Sequence, residues 1–207
     1  MTQNGKFVLI AAVLAVMAPL ALAQDSSSSS STTTTTPPTV HQRRNWQQQR
    51  IGQGVQSGSL TAGETSNLEK KEAGLNSEIH TMRQDDNGHL TAADRARIQR
   101  QQNRLSNNIY RDKHNAAAQN TSPTSEVGQR ARNQQMRVAQ GIQNGSMTAH
   151  EAASTERHEA AINHEVRADR AANGGTLTAP QRAQVNRQQN RTSAGIYAKK
   201  HNGRTRN

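Results

Sequence analysis

The sequence predicts an all-α protein: two tandem three-helix units, built as helical hairpins with Gly-x-Leu-Thr-x-x-Glu turns, behind a signal peptide and a disordered Ser/Thr-rich linker. Three observations carry this prediction. Residues 50–115 and 137–202 align without a gap at a constant offset of 87, with 32 of 66 positions identical, so one unit is used twice. Within each unit a Gly-x-Leu-Thr turn recurs, at Gly58-Ser59-Leu60-Thr61 and Gly88-His89-Leu90-Thr91, then at Gly145-Ser146-Met147-Thr148 and Gly175-Thr176-Leu177-Thr178. Between the turns, apolar residues fall on single helical stripes, among them Leu68, Leu75, Ile79 and Met82, and Ile98, Leu105 and Ile109.

The first element is an export signal over 1–23. Lys6 precedes an apolar run from Phe7 to Ala23 that ends in Ala21-Leu22-Ala23, the small-residue pattern of a cleavage site. The run is shorter than the ~20 apolar residues a spanning helix needs, so the mature chain is expected to start near Gln24, to be secreted or periplasmic, and to hold no transmembrane segment. Residues 24–42 follow as a Ser/Thr/Pro-rich linker with almost nothing apolar to bury, hence disordered. The chain has no cysteine, which excludes disulfides, thiolate metal sites and a Cys nucleophile.

Each turn reads as a helix exit followed by an entry. The glycine adopts the left-handed conformation that ends a helix. The threonine then caps the next helix, while Glu64, Asp94, Glu151 or Gln181, three residues on, reaches back to the cap. Helices are therefore expected at about 43–56, 61–84 and 91–115 in a first unit spanning 43–117, and at about 130–143, 148–171 and 178–201 in a second spanning 130–203. A linker over 118–129, with Pro123, separates the units, and a basic tail over 204–207 ends the chain. The apolar stripes are thin, with Glu72 and Gln102, matched by Glu159 and Gln189, where a bundle would place Leu. Long, marginally stable helices follow, open to pairing between units or to self-association.

Charge is the other signal. The chain carries +11, or +10 once Lys6 leaves with the signal segment. The middle helices hold acids, including Glu69, Glu72, Glu156 and Glu159, and the flanking helices hold arginine, a pattern expected to give internal charge matching. A positive surplus remains beyond it. Its strongest patch is Arg100-Gln101-Gln102-Asn103-Arg104, repeated unchanged as Arg187-Gln188-Gln189-Asn190-Arg191, with Lys113, Lys199 and Lys200 following. Two arginines four apart share a helical face that attracts anionic polymer. With Trp46, Tyr110 and Tyr197 the only aromatics after the signal segment, a stacking platform for sequence-specific nucleic-acid readout is not expected.

No nucleophile elbow or phosphate-binding Gly-rich loop is present, and His150, His158 and His164 lack the i, i+4 spacing of a helical metal pair, so neither an enzyme nor a cofactor is expected. His114 and His201 sit at helix C-termini, where imidazolium complements the dipole.

Two motifs resemble known families. The Gly88-x-Leu90 turn resembles the second half of an EF-hand calcium loop; the resemblance places Asp85 third, Asn87 fifth and Asp94 twelfth, with Arg83 at the first position, and implies a weak calcium-binding module. Leu177-Thr178-Ala179-Pro180-Gln181 resembles the Leu-Thr-x-x-Gln motif of the periplasmic Spy-like chaperones, which implies ATP-independent binding of unfolded protein. The tandem unit as a whole resembles small exported bacterial helical-repeat proteins. From the residues themselves the expectation is a non-enzymatic binding or scaffold protein whose basic helical surface engages anionic partners at the cell envelope.

Overall fold

A computed structural model describes residues 37–206. The signal segment and most of the Ser/Thr-rich linker lie outside the described residues. The rest is helical: α1 (Val40–Ser57), α2 (Ala62–Asp85), α3 (Ala92–Lys113), α4 (Glu126–Asn144), α5 (Ala149–Ala172) and α6 (Ala179–Lys200), with no strand among the described residues.

The predicted capping boxes form. Thr61, Thr91, Thr148 and Thr178 each accept from the amide three residues on, whose side chain returns to the threonine amide. Two entries lie earlier than expected. α1 starts at Val40 because Thr39 and Gln42 form a further capping box, and α4 starts at Glu126 because the Ser125 hydroxyl accepts from Gly128 N. Residues 40–42 and 126–129, expected in the linkers, are therefore helical. Gly58 and Gly145 end α1 and α4 at φ 74° and 75°, in the left-handed region where a Cβ would strain the chain. One turn earlier, Gly54 and Gly141 admit the side chains of Leu60 and Met147: a Cβ at Gly54 would stand 2.6 Å from Leu60 Cδ1.

The repeats are fused rather than strung. Ile51, Leu60, Leu68, Leu105 and Ile109 from the first share one core with Val138, Ile142, Met147 and Ile196 from the second. Each repeat adds a satellite cluster, Leu75, Ile79, Met82 and Ile98 in the first and Val127, Ile162, Val166, Leu177 and Val185 in the second. Across the seam, residues 87 apart touch one another. Gln143 Nε2 donates to Gln56 Oε1 at 3.3 Å, and Ser66 Oγ donates to the Ala153 carbonyl at 2.9 Å. Such self-matching contacts are the mark of an approximate two-fold axis, running between α1 and α4 and between α2 and α5.

The equivalence reaches past residue 115. The Gln119 amide donates to the Gly58 carbonyl at 2.8 Å and the Arg206 amide to the Gly145 carbonyl at 3.1 Å, each 87 residues from its counterpart. Asn115 and Asn202 anchor these returns by donating to Glu64 and Glu151 at 2.6 Å, and each accepts from an amide two residues on. Asn115 and Asn202, identical in the two repeats, thus serve chain reversal, and the basic tail expected over 204–207 is docked at Arg206.

Candidate functional site

The two-fold seam buries carboxylates. Glu69, Glu72, Glu156 and Glu159 are all buried, so these four acids of the middle helices point into the seam. Their partners are amides. Gln48 Nε2 donates to Glu69 at 3.1 Å and Gln135 Nε2 to Glu156 at 2.8 Å, while neither oxygen of Glu72 or Glu159 has a hydrogen-bond partner among the described residues. Burial pushes Glu69 up to about 8 against the hydrogen bond from Gln48, and pushes Glu72 and Glu159 up to about 7 against attraction from Arg44 and Arg137 respectively. Glu156 is raised well above the ordinary carboxyl range, by burial first and then, against its Gln135 bond, by Glu159 and Glu69 across the seam.

A second polar layer lies inside each repeat. Gln47 Nε2 donates to the Gln102 carbonyl at 2.7 Å and Gln102 Nε2 to the Val40 carbonyl at 2.9 Å; Gln134 and Gln189 repeat this at 2.6 and 2.9 Å. Side-chain amides here join helix backbones where leucine would only pack. The glutamine at the centre of each Arg-Gln-Gln-Asn-Arg pentapeptide is therefore architectural, and so is the asparagine, which accepts from Arg43 or Arg130 at 3.2 and 2.9 Å.

Charge matching between helices, expected from the sequence, is largely absent. Among the described residues only Arg97–Glu78, at 2.6 Å, joins two helices; Arg130–Glu126 and Arg111–Asp112 lie within one. The reason is registry: inward positions of α2 and α5 carry the acids, while the outer stripe of α3 carries the cations. Arg100, Arg104, Arg187 and Arg191 are exposed and make no hydrogen bond or ion pair among the described residues. Arg97 and Arg111 lie on the same stripe as Arg100 and Arg104, which spans roughly 21 Å of helix at 1.5 Å per residue. The equivalent stripe of α6 has Gln184 and Ala198 in place of Arg97 and Arg111.

The predicted lysines behave differently. Lys199 Nζ donates to Thr155 Oγ1 at 2.9 Å and Lys200 Nζ to Gln140 at 2.8 Å, so both are half-buried tethers, and Lys113 is half-buried as well. The aromatics of the described residues are all outside: Trp46 is 57%, Tyr110 64% and Tyr197 65% exposed. Each tyrosine stacks on the histidine one turn later at 4.2 Å, and that histidine's Nδ1 bonds the tyrosine carbonyl.

At the calcium-like turn, Asp85 is the exposed last residue of α2 and Asn87 has φ 52°. Asp94 is committed to the cap, accepting from Thr91 N at 3.0 Å and from its hydroxyl. These bonds hold Asp94 below the usual carboxylate range, while loss of some surrounding water and the bond with Asp94 raise Asp86. In the second repeat the same pair is neutral, Asn173 Nδ2 donating to Gln181 Oε1 at 2.9 Å. No group of three or more His, Cys, Asp or Glu side chains among the described residues is placed to hold a metal ion.

What sequence reasoning missed is a groove of about 690 Å³ where α2 meets the start of α5, lined by Arg44, His80, Arg83, His150 and Arg206 with no carboxylate among its lining residues. Its residues come from three elements and the C-terminal return, so no local motif announces them. The only available signal was the unpaired surplus of arginine.

The chain matches no protein-family model, no curated protein and no solved structure. Among the described residues no helix is long and apolar enough to cross a membrane.

Proposed function

We propose that the protein is an exported, non-enzymatic binding or scaffold protein whose basic helical surface engages anionic polymers at the cell envelope. One observation carries the reading. The α3 stripe holds Arg100 and Arg104 without any partner among the described residues, beside Arg97 and Arg111, while Glu69, Glu72, Glu156 and Glu159 are buried in the seam and Glu64, Asp94 and Glu151 are bound in caps. An array of guanidinium groups along one helix meets a linear polyanion at several points, and release of its counterions drives association. Retention of the arginine pair in α6 supports the reading, since these are the pentapeptide positions without an architectural task.

Heparin, as a generic polyanion, tests it. The full chain is expected to bind heparin with an affinity that falls steeply with salt. Replacing Arg100 and Arg104 by Gln lowers the slope of log affinity against log salt by about two, one per cation removed. An unchanged slope with intact helicity would sink the assignment of the surface to α3.

A further inference from the structure

The groove at the α2–α5 junction is built for an anion that the described residues do not supply. Arg44 from α1 makes no hydrogen bond among the described residues, and its Nε is buried without an acceptor. Arg206 Nε is likewise buried and unpaired, although its Nη1 donates to Gln48 Oε1 and to the Ile142 carbonyl. Arg83 lies close enough that it and Arg206 both oppose the charge on Arg44, whose guanidinium is destabilised first by burial and partly relieved by Glu72. Leaving buried donors unpaired and like charges converging costs free energy that a bound oxyanion would recover.

The start of α5 adds an independent sign. In the first repeat the amide of Ala62, the first residue of α2, donates to Gln119 Oε1 at 3.2 Å. Its counterpart is the amide of Ala149, and the residue standing where Gln119 stands is Arg206, which cannot accept a hydrogen bond. Ala149 N accordingly has no acceptor among the described residues and lines the groove at the positive end of α5.

The symmetry-related groove shows the same architecture with these donors satisfied. There Ala131 replaces Arg44, Gln119 replaces Arg206 and Gly63 replaces His150. Arg170, equivalent to Arg83, donates to Ser125 Oγ at 3.0 Å, and linker residues such as Pro123 line the space. Arg132 is spent on the Val55 and Gln56 carbonyls. One fold, used twice, thus gives one groove in which the helix-start amide and Arg170 are answered, with the exposed Arg167 left at its edge, and one in which the equivalent amide and the buried Nε atoms of Arg44 and Arg206 are not.

We propose that the groove formed by Arg44, Arg83, Arg206 and the start of α5 binds a phosphate group. Guanidinium donors arriving from three directions and a helix-end amide suit a tetrahedral oxyanion, since each can address a different oxygen. Ala73, Ile79 and Ala149 supply an apolar wall on which an organic substituent of the phosphate can rest. The site stands apart from the α3 stripe and does not rest on polyanion binding there.

The test is isothermal titration of the full chain, at near-physiological salt, with inorganic phosphate, glycerol 3-phosphate and monomeric dihexanoyl-phosphatidylglycerol. At least one probe is expected to saturate at one site per chain. Tightest binding by the lipid identifies a headgroup, tightest binding by glycerol 3-phosphate a soluble ester, and equal binding of all three the free ion. Arg44→Ala and Arg206→Gln install the residues of the other groove and should each weaken binding by about tenfold or more. The Arg100→Gln/Arg104→Gln variant leaves it unchanged and so separates this site from the helical face. Failure of all three probes to saturate, or equal affinity in wild type and both groove variants with helicity retained, overturns the proposal.

Discussion

The two repeats share their backbone plan and differ in what they leave unsatisfied. In the second, Arg130 is paired with Glu126, Arg170 with Ser125, and the turn pair is the neutral Asn173–Gln181. In the first, Arg43 has Thr39 at the position of Glu126, Arg44 has no hydrogen-bond partner among the described residues, and the turn holds Asp86 against Asp94. Duplication supplies this comparison with its own control: the capping, core and glutamine positions alike in both copies hold the fold, the exposed arginine pairs of α3 and α6 do not, and positions that leave charge or donors unanswered in one copy mark where a ligand can act. The difference lies mostly in side chains, since the caps of α2, α3, α5 and α6, the glycine exits at Gly58 and Gly145 and the glutamine layers agree, and only the entries to α1 and α4 differ.

The sharpest way to break the comparison is to ask whether either repeat stands alone. Ile142 belongs to the shared core and Ile162 to the satellite cluster of the second repeat, both buried. Ile142→Ala should cost about 4 kcal/mol and lower the melting of the whole helical signal, whereas Ile162→Ala should cost about 2–3 kcal/mol. Two separate transitions in the Ile142→Ala melt, one unshifted, would show that the repeats fold independently.

The seam predicts an inverted pH dependence. The folded state holds protons on Glu69 up to about pH 8 and on Glu72 and Glu159 up to about pH 7, against an ordinary value of 4.5. Between these limits it binds more protons than the unfolded chain, so stability falls as pH rises through that window. Asp94 and Glu151, held below the ordinary range, contribute stability that is lost as pH falls further. Urea midpoints should therefore be highest near pH 5 and drop toward pH 8.5. Glu69→Gln with Glu156→Gln should flatten much of that drop; an undiminished fall in the double variant would remove Glu69 and Glu156 as its cause.

The smallest effect concerns the groove itself. Arg206→Gln removes one of the converging guanidinium groups and offers Ala149 N the acceptor that Gln119 gives Ala62 N. In the absence of added anion the variant should be more stable than wild type by about 1 kcal/mol, the usual worth of a helix cap. A loss of stability would mean that the bonds from Arg206 to Gln48 and Ile142 outweigh the crowding of charge.

Much of the architecture was legible because it rests on short-range chemistry. A threonine with an acid or amide three residues on specifies a helix start whatever surrounds it, and a glycine before it specifies an exit. The start of α1 was misplaced by three residues only because Thr39 sits inside a Ser/Thr-rich run that hides its pairing with Gln42. The free arginines of α3 were legible from their spacing. The direction in which Glu69, Glu72, Glu156 and Glu159 point was not, because a helix with charge on several faces does not declare which face is covered.

By itself, then, the sequence determined the all-helical class and the turns, which rest on residues within one or two helical turns of each other, and the duplication and the surplus of positive charge, which are read along the chain without reference to any contact. Only the tertiary structure decided that the copies fuse about a two-fold seam, that the acids go inward, and that Arg44, Arg83 and Arg206 converge on the start of α5. Those outcomes depend on which helix covers which face. That is a sum over many weak contacts between residues far apart in the chain, and no local pattern encodes it.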